Sequence, residues 1–479
     1  MNAPTAQANT PAPGPRIIPR SEHIISRSAI SPNALRVLYR LRDAGYQAFL
    51  VGGCVRDLLL GVPPKDFDVV TNALPEEIKK LFRNCRLVGR RFRLAHVYFG
   101  REIVEVATFR ASSAPLQSEE PLPDADPEDG EAPEIDEPLA TELEEDSGNG
   151  EERVLDEHGR ILRDNVYGTI DEDVWRRDFT ANALYYNIAD FSVWDYVGGV
   201  EDIAARRLRL IGDPETRYRE DPVRMLRAAR FEAKLGFTVD EATAEPIPRL
   251  KGLLAAVPAA RLFDETLKLF LTGHGARSLE VLRRRGLLET LLPTVAAYLD
   301  AHPGSLVEKL VMQGLRNTDS RVLEGKPVTP TFLFAVLLYG PIAQAIESAP
   351  PERWHEQATI LDACDRAIRE AQVHIAIPRR FTLGVREMIA LQPRLEHPRG
   401  RRALRLLEHP RFRAAYDLLL LRAEQGLAPA EMAQWWTRIQ EVSAEERVRM
   451  ADELAGQKSR PEAPRKRRRR RRRRPSNPT

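Results

Sequence analysis

One short stretch constrains this chain more than any other: Phe49-Leu-Val-Gly-Gly-Cys-Val-Arg-Asp57, followed by Lys65-Asp-Phe-Asp-Val-Val-Thr71. Residues 46–51 read as a strand, and Gly52-Gly53 breaks it. Residues 55–60 then read as a short helix stopped by Gly61, and residues 66–71 as a second strand. A strand that ends on two glycines at a helix start lets backbone approach an anion closely and offers it free N–H groups. On a strand, Asp66 and Asp68 point to one face, with Phe67 and Val69 to the other. Two carboxylates on one face repel unless a cation lies between them, and Mg²⁺ held by carboxylates and phosphates is the usual answer. Glu105, within Ile103-Val-Glu-Val-Ala-Thr-Phe109, is expected to be a charged residue inside an apolar strand, where a metal would offset its burial. An isolated Asp-x-Asp is commonly a surface turn and an isolated Gly-Gly a plain turn. It is their order around a short helix that narrows the reading.

The rest of the chain alternates between folded and polar stretches. Residues 1–30 read as a disordered arm without the apolar core of a signal peptide. Ser31-Pro32 opens a helix with Leu35, Leu38 and Leu41 at helical spacing. Residues 75–82 read as helix, and residues 96–99 and 102–109 as strands. About 112–152 is rich in Pro, Asp and Glu and is expected to be disordered. Residues 153–155 and 161–162 read as a hairpin. From Asp178 onward the pattern is almost entirely helical, as in residues 262–271 and 279–292, until about residue 456. This makes an α+β chain: a small α/β head with a mixed sheet, then an all-α neck, body and C-terminal region. The expected boundaries are 31–187 for the head, 188–250 for the neck, 251–455 for the body and 456–479 for a disordered arginine-rich tail.

Charge is distributed unevenly. The formal net charge is +2, yet residues 119–157 hold eighteen Asp or Glu against one Arg, and residues 465–474 are ten consecutive Lys or Arg. A basic chain with an acidic insertion and a cationic tail suits a polyanionic partner. The insertion either competes with that partner for the basic surface, contacts the tail, or is passive. Three widely spaced cysteines make no disulfide framework and no zinc site. No apolar run approaches the ~20 residues of a membrane span. A cytoplasmic protein is expected.

Gly52-Gly-Cys-Val-Arg-Asp57 with Asp66-Phe-Asp68 resembles the signature of the poly(A) polymerase and CCA-adding branch of the nucleotidyltransferases. Leu87-Val-Gly-Arg-Arg-Phe-Arg-Leu-Ala-His-Val-Tyr-Phe99, Arg176-Arg-Asp-Phe-Thr-Ala-Asn-Ala-Leu184, Asp195-Tyr-Val-Gly-Gly-Val-Glu-Asp202 and Glu220-Asp-Pro-Val-Arg-Met-Leu-Arg-Ala-Ala-Arg-Phe231 are similar to further segments of that family. The likeness covers about residues 46–110 and 160–240. It implies that Asp66 and Asp68 bind Mg²⁺, with Glu105 or Asp178 as a further active-site acid. Gly52, Gly53, Arg56, Asp57, Arg177, Asn182, Asp221, Arg224, Arg227 and Arg230 would bind the nucleotide, Asp221 and Arg224 reading its base. Arg90, Arg91, Arg93, Arg467, Arg470 and Arg474 would contact RNA. Without the resemblance, Asp221 and Arg224 read as a surface ion pair, Arg224, Arg227 and Arg230 as a solvated face, and Asp178 as a helix cap.

The implied activity is template-independent addition of AMP from ATP to RNA 3′ ends, linked to RNA processing and decay, with protein partners in decay and a monomeric enzyme. The Gly89-Arg-Arg-Phe-Arg-Leu94 string and the arginine tail resemble the poly(A) group, since a cationic run attracts any RNA. The alternatives are a CCA-adding tRNA nucleotidyltransferase and a non-catalytic RNA-binding protein on an inactive head.

Overall fold

The computed structural model describes residues 14–89, 93–111, 154–155, 161–163 and 166–458. The chain divides into two units: Met1–Pro258 with Arg284–Leu287, and Ala259–Arg283 with Leu288–Thr479.

The first unit is built on a sheet. Its strands are β1 (Arg16–Ile18), β2 (Ala48–Val51), β3 (Asp68–Thr71), β4 (Cys85–Val88), β5 (Leu94–Phe99) and β6 (Glu102–Thr108), then β9 (Leu184–Asn187) and β10 (Val193–Asp195) after a separate hairpin of β7 (Val154–Leu155) and β8 (Ile161–Arg163). The order across the sheet is β1-β10-β9-β2-β3-β6-β5-β4. Only β3 and β6 run parallel, so the sheet is mixed as expected. Helices α1 (Pro32–Asp43), α2 (Gly53–Leu59), α3 (Pro75–Leu81) and α4 (Ile170–Arg176) accompany it. The Ser31 hydroxyl caps α1 by accepting from the N–H groups of Asn33 and Ala34, as a Ser before a first-turn proline should. Phe49, Val70, Phe109, Val174 and Tyr185 form the buried centre under β2.

Three expectations need correction. Residues 14–30, assigned to a disordered arm, are ordered. Strand β1 pairs antiparallel with β10, and Ile18, Ile25 and Ile30 are buried; the apolar area they remove from water offsets the cost of ordering the segment. Residues 1–13 lie outside the described residues. Second, the stretch after Asp178 is not uniformly helical, because β9 and β10 complete the sheet. The Leu-Tyr-Tyr run of β9 is buried between β2 and β10, a place that favours aromatic residues over a helix. Third, strand β4 was not foreseen. The acidic segment at about 112–152 lies outside the described residues, and so do residues 459–479 of the tail. Residues 456–458 close the helix Ala444–Lys458.

After the sheet come α5 (Gly199–Ala204), the two-residue strand β11 (Arg207–Leu208), α6 (Pro214–Glu220) and α7 (Val223–Leu235). The second unit is helical. Its longest helices are Leu306–Leu323 and Arg379–Glu396. Leu395, Phe412, Tyr416 and Trp436 pack in one of its cores, where the Trp436 indole donates to the Leu395 carbonyl at 2.8 Å. Among the described residues no single helix is long and apolar enough to cross a membrane. The three cysteines are free and buried.

Candidate active site

The glycine turn forms where β2 hands over to α2. Gly52 has φ +79° and ψ −134°, a conformation that a side chain disfavours strongly. Its N–H donates to the Leu184 carbonyl of β9 at 3.3 Å. Gly53 is different: a Cβ there would meet nothing closer than the Arg56 guanidinium, at 3.5 Å, which is ordinary contact. Gly53→Ala should therefore fold with an unchanged melting temperature. If the turn cradles a triphosphate, the same substitution raises the KM for the nucleotide about tenfold, a steric loss of roughly 1.4 kcal/mol. Thermal melting and steady-state kinetics together check this.

Asp68 opens β3, and in the parallel register its neighbour on β6 is Glu105. Asp66 precedes the strand, in the turn that leads into it, so the expectation of two acids within one strand is half met. Solvent reaches Asp68, but the surrounding protein still penalises its charge. This burial, then the negative charges of Glu105 and Asp66, push its carboxyl up to about 6, against the opposing pull of Arg177. Three acids therefore act on one another electrostatically. Glu105 is not buried, as the sequence reading assumed. Its side chain is 52 % exposed and stands 3.5 Å from His96 Nε2, because the outer face of β6 lies open at that point. Among the described residues no three His, Cys, Asp or Glu side chains converge tightly enough to hold an ion unaided. Two hard oxygen donors, with phosphate oxygens completing the shell, match the way Mg²⁺ is bound, and the uncompensated charge on Asp68 fits a cation.

Asp178 has a different set of partners. Its side chain is 11 % exposed, and Oδ2 accepts from Arg227 Nε at 2.8 Å and from Nη2. Oδ1 accepts from the Phe179 N–H at 2.8 Å. Burial would raise this carboxyl, but Arg227 and these hydrogen bonds hold it below the usual carboxylate range. Asp178 is not the helix cap that the local pattern suggests, since the 3₁₀ turn Thr180–Asn182 has Phe179 at its N-cap and no side chain caps it. The strongest partner of Asp178 lies on α7.

Arg56 is 2 % exposed. It donates to Asp57 Oδ1 at 2.8 Å and to Asn182 Oδ1 at 2.6 Å. These three expected nucleotide ligands thus form a buried knot tying α2 to the 3₁₀ turn. Asp221 and Arg224 do not share a helix: Asp221 caps the C-terminus of α6 and Arg224 lies in the first turn of α7, because Pro222 interrupts the run. The carboxylate that Arg224 meets is Glu220, at 3.0 Å, and it also donates to the Arg217 carbonyl at 2.7 Å. The guanidinium groups of Arg227 and Arg230 lie over the Phe231 ring, 5.7 and 4.6 Å from its centre. They are packed against an aromatic ring, so a freely solvated arginine face does not describe them. Arg93 donates to Glu76 at 2.6 Å. Arg90, Arg91, Arg467, Arg470 and Arg474 lie outside the described residues.

Two supporting acids begin and end the segment Asp195–Asp202, which the resemblance marks without giving either a role. Asp195 accepts from the N–H groups of Val197, Gly198, Gly199 and Val200 at 2.8–3.0 Å. Asp202, fully buried, accepts from Thr180, Arg207 and Arg209. Both hold the segment behind Asp178 in place. An Asp ahead of Gly-Gly was the available signal for the first.

A mixed sheet that carries paired acids beside a glycine turn, followed by a helical unit, defines a nucleotidyltransferase with a separate helical body. Residues 48–209 match the poly A polymerase head domain. Residues 236–299 match the probable RNA and SrmB-binding site of polymerase A, and residues 352–474 its arginine-rich C-terminus. The chain is 48 % identical over 443 residues to poly(A) polymerase I of Salmonella typhi, across 91 % of this chain and 88 % of that protein. The chain belongs to the bacterial poly(A) polymerase family. The CCA-adding enzyme of Lactobacillus helveticus is 32 % identical over 248 residues, 52 % of each chain. In fold, the solved "tRNA-processing enzyme (apo form I)" is similar at a TM-score of 0.53 and 21 % identity, over 89 % of this chain and 98 % of that one.

Proposed function

We propose that this chain performs template-independent polyadenylation with Asp66 and Asp68 as the metal-binding acids. The RNA 3′-oxygen bonds to the α-phosphorus of ATP, the bond to the β-phosphate oxygen breaks, and pyrophosphate leaves. Mg²⁺ held by Asp66 and Asp68 would supply charge neutralisation and lower the cost of ionising the 3′-hydroxyl. The chain's own residues do the rest. The Gly52-Gly53 turn admits the phosphates at close range. Arg177 faces the turn with positive charge. Asp221 and Arg224, at the junction of α6 and α7, present an acceptor and a donor to the adenine edge. Glu105 acts from the far side of Asp68 by raising the local negative charge. Asp178 acts through Arg227, fixing the start of α7. The arginine-rich tail and residues 236–299 retain RNA of any sequence by phosphate contact. The enzyme works as a monomer in the cytoplasm.

The observation that carries this reading is Asp68, paired in register with Glu105 and following a turn that only glycine accommodates, its carboxyl pushed up by burial and then by the charges of Glu105 and Asp66. A CCA-adding activity is the second reading, favoured only by the likeness over half the chain. Purified protein with Mg²⁺, a generic RNA and one nucleotide at a time separates the two. Long extension with ATP alone supports the proposal. Addition of a few residues to tRNA, requiring CTP, would overturn it.

A further inference from the structure

Arg177 is held more rigidly than an ion pair at a helix end requires. It follows the last residue of α4, and its Nε and Nη2 donate to Asp173 Oδ2 at 3.2 and 2.9 Å. Nε also donates to the Tyr185 hydroxyl at 2.9 Å. That hydroxyl in turn donates to the same Asp173 oxygen at 2.9 Å, and the guanidinium carbon stands 5.2 Å from the centre of the Tyr185 ring. Tyr185 is fully buried in β9, and Asp173 is 8 % exposed. The backbone is fixed too, because Arg217 donates to the carbonyls of Arg176 and Arg177 at 3.3 and 2.8 Å. Two of the three guanidinium nitrogens, Nε and Nη2, are thereby committed inward. The remaining nitrogen, Nη1, lies 3.7 Å from the point where a Cβ on Gly52 would stand. The positive charge of Arg177 also reaches Asp68.

We infer that Asp173 and Tyr185 are positioning residues for the triphosphate, holding Arg177 so that Nη1 faces a phosphate above Gly52. A long side chain that binds an anion normally loses rotamer freedom on doing so. Here that cost is met on folding, and the cation is already aimed when the nucleotide arrives. The Arg177–Asp173 bonds join two charged groups, and each bond of the Tyr185 hydroxyl has one charged partner, which strengthens them all. The inference rests on the glycine turn being the ATP site.

The test is MgATP binding to the full chain by calorimetry, with adenosine as a second ligand that lacks phosphates. Arg177→Ala is expected to weaken MgATP on the order of 30-fold, and Tyr185→Phe and Asp173→Asn about 3- to 10-fold each, the range for loss of a charge-assisted hydrogen bond. Adenosine binding stays within twofold throughout. Placed on an Arg177→Ala background, Tyr185→Phe and Asp173→Asn add no further loss, as expected for residues acting through one group. Equal losses for MgATP and adenosine, or losses that add fully on that background, would overturn the inference in favour of a purely structural role. If Arg177→Ala leaves MgATP affinity intact, the ATP-site reading of the turn fails first, and the two failures are told apart.

Discussion

Asp68→Ala is expected to reduce RNA extension by on the order of 10³-fold or more while RNA retention on a filter stays within a factor of two. Neutralising the transferred phosphates at a carboxylate-held ion contributes several kcal/mol, and each ~1.4 kcal/mol is tenfold in rate. In the proposed function RNA is retained by phosphate contacts away from Asp68, so its affinity is expected to be unchanged. A companion measurement uses stability. The Asp68 carboxyl is raised to about 6 in the fold, so the folded state binds its proton more tightly than the unfolded chain does. Above that pH the ionised carboxylate therefore opposes folding, and below the ordinary carboxylate range it does not. Asp68→Asn removes the opposition. The shift alone corresponds to roughly 3 kcal/mol, but solvent reaches the group and screens it, leaving about 1 kcal/mol. Metal-free Asp68→Asn protein should thus melt roughly 2–4 °C higher at pH 7. Added Mg²⁺ should raise the melting temperature of the parent protein only, and less so below pH 6, where protons compete. A destabilised Asp68→Asn protein, or one that still extends RNA at the parent rate, would contradict the assignment.

The part of this site legible in the sequence was the part written in consecutive residues. A strand, two glycines, a short helix and a second strand are local events, so β2, α2 and β3 were readable from punctuation and alternation. The hairpin of β7 and β8 was readable for the same reason. What escaped depends on distant partners. Ile18, Ile25 and Ile30 fit no helical or strand period, yet all three are buried, Ile18 through the pairing of β1 with β10. Strand β9 has neighbours on both sides, which no local pattern announces. The same holds within the site. Arg56 carries a charge that invites a ligand, yet it is paired with Asp57 and also donates to Asn182, 126 residues away. Glu105 looked buried because its strand is apolar, but one face of that strand is open. The resemblance to a family singled out these segments as wholes. It did not say which of their side chains face the cradle and which hold others in place.

Asp178 and Arg227 make that distinction measurable. Arg227→Ala leaves a carboxylate that is 11 % exposed with hydrogen bonds from the Phe179 N–H at 2.8 Å and Asn182 at 3.5 Å and the electrostatic pull of Arg217. Removing one partner of a buried pair strands the other charge and costs about 3–5 kcal/mol, roughly 10 °C in melting temperature for a unit of this size. The reverse change is milder. Arg227 is 32 % exposed, so after Asp178→Ala water reaches its guanidinium and the loss is about 1–2 kcal/mol. The pH dependence gives the sign. With Arg227 present, the Asp178 carboxyl is held low, and its stabilisation is present above the ordinary carboxylate pKa and disappears as pH falls through the depressed value. Without Arg227, burial dominates and raises the carboxyl, so protonation relieves the fold. The gap in melting temperature between parent and Arg227→Ala should accordingly narrow steadily from pH 7 to pH 5. Asp178→Asn added to Arg227→Ala should recover most of the lost stability at pH 7. A gap that is constant with pH, or an Asp178→Ala protein less stable than Arg227→Ala, would show that Arg227 is not the counter-charge of Asp178. Because the pair joins the sheet-bearing part of the head to α7, any loss of nucleotide affinity in Arg227→Ala has to be measured on the Asp178→Asn background before it is assigned to contact with ATP.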